Sequence, residues 1–393
     1  MGKEGISLKV SKRLEKVQES PTLAITAKAK QMKAGGEDVV SFGAGEPDFD
    51  TPANIKSAAL KAIEGGFTKY TASSGIPELK KAICGKFLKD NGLTYEPGQI
   101  VVSCGAKHSL YNILQAICDQ GDEVIIPSPY WVSYAEMVRL AGGIPVILDT
   151  KQSDEFKLRP DALAKAITQK TAAFVLNSPS NPTGSVYNRR ELEGLADVLV
   201  SKKIPVISDE IYEKLIYGGE KHFSFASLSR DAYALTFTVN GVSKSYSMTG
   251  WRIGYLGAPD KALASAVGRL QDHSTSNPAS FAQKAALEAI SGDQSCVVKM
   301  AEEFERRRDY MVLRIGTMKG ISCVQPKGAF YVFCDISKTG MGSFEFSKRL
   351  LEEAKVAVIP GEPFGWDTHI RLSFATGMEE ISKGLDRIEA WLK

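Results

Sequence analysis

Between about residue 100 and residue 260 the chain repeats one motif seven times: a short, unbroken apolar run. The runs are Ile100-Val101-Val102, Val124-Ile125-Ile126, Val146-Ile147-Leu148, Ala173-Phe174-Val175-Leu176, Val206-Ile207-Ser208, Leu235-Thr236-Phe237-Thr238 and Ile253-Gly254-Tyr255-Leu256. They do not alternate polar with apolar residues, so each reads as a strand covered on both faces. That is the habit of a largely parallel sheet. Apolar residues at helical spacing fill the gaps over 107–119, 189–202 and 260–270. Upstream, Asp50-Thr51-Pro52 predicts a capped helix start with Pro at the first helical position. Such alternation implies an α/β layer structure with helices on both faces of the sheet. In these sheets ligands bind beyond the carboxyl ends of the strands.

Past residue 290 the pattern changes. A long charged helix is predicted over 293–318, strands over 329–336, 356–359 and 369–374, and helices over 343–354 and 377–392. This is an α+β pattern, and 393 residues exceed what one core usually serves. The expected division is an N-terminal arm over 1–50 packing on the small domain, a large domain over 51–290 and a small domain over 291–393.

Several function classes drop out. The 49 basic and 46 acidic residues leave a net charge of +3 and are scattered, which gives no reason to expect a nucleic-acid partner. No apolar run reaches the ~18 residues of a membrane span, and the first residues lack a signal core. A cytoplasmic protein is expected. The 6 cysteines form no CxxC pair and read as free thiols. With 4 histidines, no HExxH and no ligand spacing, no metal is expected; GxSxG, Walker A and strand-following GxGxxG motifs are missing too. Some base other than histidine is required.

Lys244 is the candidate. It lies in Gly241-Val242-Ser243-Lys244-Ser245-Tyr246, just after an apolar strand, with no carboxylate close in sequence. An amine so placed can have a lowered pKa suited to Schiff-base chemistry. Alone, it would read as a surface-loop lysine. Asp209 and Tyr212 end another strand, and a buried carboxylate there is costly unless paired; its bland reading is a helix cap. Asn181, in Asn177-Ser178-Pro179-Ser180-Asn181-Pro182-Thr183-Gly184, offers an amide after a third strand, or is merely loop. Gly105-Ala106-Lys107 opens a helix after a fourth, and small residues at a helix N-terminus suit a phosphate. Arg252 adds a planar cation. Phosphate cradle, amide, carboxylate and amine together match one ligand, pyridoxal phosphate.

At this point the chain resembles the class I aminotransferases of fold type I, in the bacterial-type aspartate aminotransferase branch, from about Leu14 to its end. The resemblance rests on an ordered set. Its members are Ala44-Gly45-Glu46-Pro47-Asp48-Phe49, Lys69-Tyr70, Gly75-Ile76-Pro77-Glu78-Leu79 and Pro129-Tyr130-Trp131-Val132-Ser133-Tyr134. They continue with Asn181-Pro182-Thr183-Gly184, Ser208-Asp209-Glu210-Ile211-Tyr212, Ser243-Lys244, Thr249-Gly250-Trp251-Arg252 and Arg371.

The resemblance implies a pyridoxal-phosphate enzyme with amino acid and 2-oxo acid substrates. Lys244 would carry the cofactor, Asp209 would pair with its pyridine nitrogen, and Tyr212 and Asn181 would serve its phenolic oxygen. Trp131 would stack on the ring, with Gly105, Ala106, Ser243 and Arg252 at the phosphate. Tyr70 would reach the neighbouring subunit's phosphate, which implies a homodimer with shared sites. Arg371 would clamp the substrate α-carboxylate, where a bidentate guanidinium suits the planar anion, and Gly45 would contact substrate through its backbone. By itself Trp131 reads as core, and Arg371 as an arginine in need of some anion.

Three departures bear on specificity. The stretch Gln271–Pro278 has no arginine for a side-chain carboxylate, so Lys107 is the expected substitute, with Thr22 as helper. Members that accept prephenate carry a lysine near the match to Glu19. Gly241 stands where many relatives have a phosphate-binding serine. The expected reaction is amino transfer from aspartate to 2-oxoglutarate by a ping-pong route. The rivals are aromatic, alanine or prephenate aminotransferases, a C–S lyase, and more remotely a non-enzymatic regulator.

Overall fold

The computed structural model describes residues 9–12, 14–17 and 21–393. All seven apolar runs form strands of one sheet. Its spatial order is Ile100–Ser103, Gly254–Gly257, Thr236–Gly241, Val206–Asp209, Thr171–Asn177, Glu123–Ser128 and Ile144–Asp149. Every neighbouring pair is parallel except the two made by Gly254–Gly257. Ile100–Ser103, Val206–Asp209 and Thr236–Gly241 are buried along their length, while Ile144–Asp149 at the far edge is only half-buried. Burial of both faces is why these runs carry no alternation.

The reversed strand decides the site. Being antiparallel to both its neighbours, it leaves Ile100–Ser103 running the same way as Thr236–Gly241. The carboxyl ends of Ile100–Ser103, Thr171–Asn177, Val206–Asp209 and Thr236–Gly241 therefore share one edge. The amino end of the reversed strand, just after Arg252, arrives at that edge too.

Helices Ala106–Ile117, Arg189–Lys202 and Lys261–Ser274 lie where the spacing puts them, to within a few residues. Arg189–Lys202 shows why its bounds are legible. Asn188 Oδ1 accepts from Glu191 N at 3.0 Å, and Glu191 Oε2 accepts from Asn188 N at 2.8 Å. Helix Ala53–Glu64 departs from expectation. Pro52 is its N-cap rather than its first residue, and no side chain caps it. Thr51 Oγ1 is engaged elsewhere, accepting from Trp251 Nε1 at 2.9 Å and donating to Ser247 O at 2.6 Å. A tertiary contact outcompetes the local cap. Helices Pro77–Asn91, Ser133–Leu140, Pro160–Ala166 and Ser280–Ser291 complete the covering layers.

Helix Ser295–Thr317 leads into a second sheet, antiparallel throughout, ordered Ile359–Pro360, His369–Ser373, Tyr331–Asp335 and Ser322–Cys323. Helices Ser343–Ala354 and Met378–Leu392 cover it. The segment before residue 50 joins this part of the molecule. Val40–Ser41 pairs in parallel with Val356–Ala357, and Asp38 accepts from Lys383 and Arg387 at 2.6 Å each. Phe304, Phe330, Phe346 and Phe374, all fully buried, fill the core here. Each contributes about 1.5–3 kcal/mol over an exposed ring. The six cysteines are free thiols, with Cys118 and Cys334 buried. Among the described residues no helix is long and apolar enough to cross a membrane.

Candidate active site

A cavity of about 860 Å³ lies at the shared sheet edge, between the two sheets. Ala106, Lys107, Trp131, Asn181, Asp209, Tyr212, Ser243, Lys244 and Arg252 line it from the large sheet's side. Arg371 and Gly45 line it from the other. Two expected residues are not on its wall. Gly105 sits just behind as the N-cap of Ala106–Ile117 with φ +90°, and a side chain there would collide with the Arg252 guanidinium. The glycine is thus required twice over, by backbone angle and by space. Tyr70 is 92% exposed and away from this chain's own cavity. Glu19 and the side chain of Thr22 lie outside the described residues.

Lys244 is half-buried, its amine turned into the cavity and donating to Gly45 O at 2.5 Å. It lies 5.8 Å from the Tyr212 ring centroid and 5.7 Å from that of Phe330. Burial pushes its pKa down to about 8. Arg371 and Arg252 act in the same direction, against Glu46 and Asp209. A minor but usable fraction of the amine, on the order of a tenth to a fifth, is therefore neutral near physiological pH.

Asp209 is 3% exposed at the end of Val206–Asp209. Its Oδ2 accepts from Tyr134 Oη at 2.7 Å and its Oδ1 from Ile211 N at 3.2 Å. Among the described residues no cation is bonded to it. Burial consequently drives the carboxyl up to about 6, with the two hydrogen bonds opposing and Glu210 adding to the rise. This is a carboxylate short of a positive partner.

Arg371 is 5% exposed on the inner strand His369–Ser373. Its Nη1 donates to Asn181 Oδ1 at 2.9 Å and its Nη2 to Gly43 O at 3.2 Å; its Nε, though buried, has no partner among the described residues. The guanidinium stacks 4.3 Å from the Tyr331 centroid and 5.2 Å from that of Phe364. Among the described residues no carboxylate is bonded to it, and burial lowers its pKa.

At the phosphate-sized corner, Arg252 donates to Thr249 O at 2.9 Å and Cys104 O at 3.2 Å, beside the N-terminus of Ala106–Ile117. Lys107 extends 4.8 Å over the Trp131 ring, its pKa lowered by burial and then by Arg252. Gly241 packs against Gly254, where an added Cβ would lie 3.0 Å from the Gly254 Cα. A larger side chain in its place meets the close approach of two strands. Gln271 is fully buried, bonded to Ser73 O and Val102 O, and Gln271–Pro278 contributes nothing to the cavity wall.

Sequence reasoning assigned no role to Tyr134, Tyr331 or Asn177. Tyr134 lies one helical turn past Trp131, stacks edge-on to it at 5.3 Å and holds Asp209. Tyr331 bonds Tyr212 through their hydroxyls at 3.0 Å and floors Arg371. Asn177 accepts from Asn181 N at 2.9 Å and donates to Asp209 O at 3.0 Å, tying two strand ends together. Only Tyr134 carried a signal, its spacing from Trp131; the links of Asn177 to Asp209 and of Tyr331 to Tyr212 span 32 residues or more.

The family described as aminotransferase class I and II matches residues 37–388. An aspartate aminotransferase of Geobacillus stearothermophilus is 49% identical, over 98% of this chain and 99% of its own length. An aspartate/prephenate aminotransferase of Cereibacter sphaeroides is also 49% identical, over 97% and 98%. Among solved structures, the Thermus thermophilus aspartate aminotransferase with maleate superposes with a TM-score of 0.94 at 44% identity, covering 98% of this chain and all of that one. The Rhizobium meliloti aspartate aminotransferase also gives 0.94, at 42% identity and 98% coverage of both. With the fold, the cavity and these likenesses in agreement, the chain belongs to the class I and II aminotransferases.

Proposed function

We propose that this enzyme moves the amino group of L-aspartate to 2-oxoglutarate, giving oxaloacetate and L-glutamate with ping-pong kinetics. The observation that carries the proposal is a set of unmatched charges round one cavity. Asp209 lacks a cation, Arg371 and Lys107 lack a carboxylate, and Lys244 stands among them with a softened amine.

The family's cofactor is pyridoxal 5'-phosphate, and the residues fit it. A pyridinium N–H would give Asp209 the cationic donor it lacks among the described residues. Arg252 and the helix N-terminus at Ala106 would hold the phosphate, with Ser243 nearby. Tyr212 and Asn181 would serve the phenolic oxygen, and Trp131 would cover the ring. When bound, the cofactor supplies an aldehyde for exchange with the substrate amine and a ring that takes up electrons released at the substrate Cα.

This chain's residues do the rest. Arg371, braced by Asn181 and Gly43, fixes the substrate α-carboxylate, and its open Nε is one donor for it. That orientation presents the Cα–H bond to Lys244. The neutral Lys244 Nζ takes the proton as general base and returns it from the same atom. Lys107 supplies the charge for the second carboxylate of a dicarboxylic substrate, and the likeness to relatives named for aspartate supports this choice. Gly45 contributes backbone to the substrate wall.

The reading includes a cytoplasmic homodimer with shared sites. Tyr70, exposed and away from its own cavity, supports it; sedimentation at twice the chain mass would check it. The decisive test is spectroscopic. The purified protein should show a near-visible band that aspartate removes and 2-oxoglutarate restores, and Lys244→Ala should lose both band and turnover. A band indifferent to aspartate would sink the substrate assignment while keeping the cofactor.

A further inference from the structure

Behind Asp209, facing away from the cavity, lies a buried polar cluster that the reaction as described does not use. Glu210, 1% exposed, is its centre. Its Oε1 accepts from Ser208 Oγ and Ser224 Oγ, both at 2.8 Å. Its Oε2 accepts from Asn91 Nδ2 at 3.3 Å and lies 2.9 Å from His222 Nε2. An ionised carboxylate only accepts, so the proton of this last contact sits on Nε2. All four acceptor positions are then filled. Asn91 also donates to Glu213 at 2.7 Å, and Lys86 is paired with Glu213.

The ligand atoms of Glu210, Glu213 and His222 lie within 4.8 Å of one another, a metal-like spacing. With the Lys86 ammonium already on Glu213 and four donors on Glu210, a metal ion would have to displace protein partners from both carboxylates.

Another role fits. Four hydrogen-bonding contacts hold the Glu210 carboxylate in one position, one residue from Asp209. We propose that Glu210 is a positioning residue that acts through Asp209: its carboxylate, held in place beside Asp209, makes Asp209 a stronger proton acceptor toward the cofactor's ring nitrogen. This rests on the pyridoxal-phosphate reading above. The upward pull of Glu210 on the Asp209 carboxyl agrees with it. The other titratable groups round the pair are Tyr134, Tyr212 and Lys244 toward the cavity, and His222, Glu213, Lys86, Asp90, Tyr95 and Tyr255 behind.

The test is Glu210→Gln in the holoenzyme, near-isosteric and able to keep two or more of the four bonds. Absorbance of the bound cofactor is titrated against pH, and its affinity is measured by dialysis and rebinding of pyridoxal phosphate. The expected results are a shift of the chromophore's transition by about half a pH unit or more and roughly 5- to 10-fold weaker cofactor binding. The kcat for aspartate should fall while KM changes little. Ser224→Ala, which removes one donor from Glu210, should shift the titration the same way by less. The paired change Lys86→Met with Glu213→Gln disturbs the same cluster without touching Glu210. It should lower thermal stability and leave the titration in place. If Glu210→Gln folds with unaltered titration and affinity, or the paired change shifts the chromophore equally, Glu210 is only structural. A wild-type protein that binds no pyridoxal phosphate would instead overturn the function proposed above. If Glu210→Gln does not fold, Ser224→Ala decides: an unmoved titration overturns the proposal.

Discussion

Two buried carboxyl groups four residues apart behave oppositely. Asp209 faces the cavity and is driven up to about 6; Glu213 faces the interior and is held down to about 2. Burial pushes both upward. At Glu213 the charges of Lys86 and then His222, with hydrogen bonds from Lys86 and Asn91, outweigh it. At Asp209 nothing cationic is bonded. The difference separates charge that completes the fold from charge kept for a ligand. The arginines divide the same way. Arg307 is bonded to Asp48 at 2.7 Å and Glu303 at 2.8 Å, whereas Arg371 meets only neutral oxygens.

Breaking the interior pair should have the largest effect. Lys86→Met leaves Glu213 buried without its main partner and should cost about 3–5 kcal/mol in chemical denaturation. The pH dependence sharpens this. Glu213 has a folded pKa below its unfolded value of 4.5, so its contribution is present above about pH 4.5 and fades as pH falls toward 2. In Lys86→Met that acid-side loss should largely vanish; an unchanged acid limb would count against the pairing.

At Asp209 the sign reverses. A carboxyl raised from 3.8 to about 6 makes the cofactor-free protein lose stability as pH rises through that window. Asp209→Asn should therefore unfold like wild type near pH 3.5 and be more stable near pH 7, by on the order of 3 kcal/mol. The same variant should lose about 100- to 1,000-fold in turnover, since it surrenders the charge held for the ring nitrogen. Equal stability differences at both pH values would show that Asp209 is already paired.

Lys107 extends the comparison to the rim, with a smaller effect. Lys107→Gln should raise KM for aspartate by about 10-fold and leave KM for a neutral amino acid nearly unchanged. Equal effects on both substrates would remove Lys107 from the second-carboxylate role.

The seven strands and the ends that carry Gly105, Asn181, Asp209 and Lys244 were legible in the sequence. So was the helix over 189–202, whose start the structure fixes with the box at Asn188 and Glu191, because burial on two faces and helical spacing are local demands. The cap expected at Thr51 failed because its hydroxyl is claimed by Trp251 and Ser247, 200 and 196 residues away. Tyr331 beneath Arg371, Asn177 between two strand ends, and Lys86 and His222 around Glu213 and Glu210 were beyond local reading for the same reason. Sequence alone determined which residue types stand at the sheet edge, since apolar period and turn chemistry act over a few residues. Tertiary structure alone decided which of their charges are neutralised inside the protein. Desolvation and Coulomb interactions depend on distance in space, and here they couple groups more than a hundred residues apart.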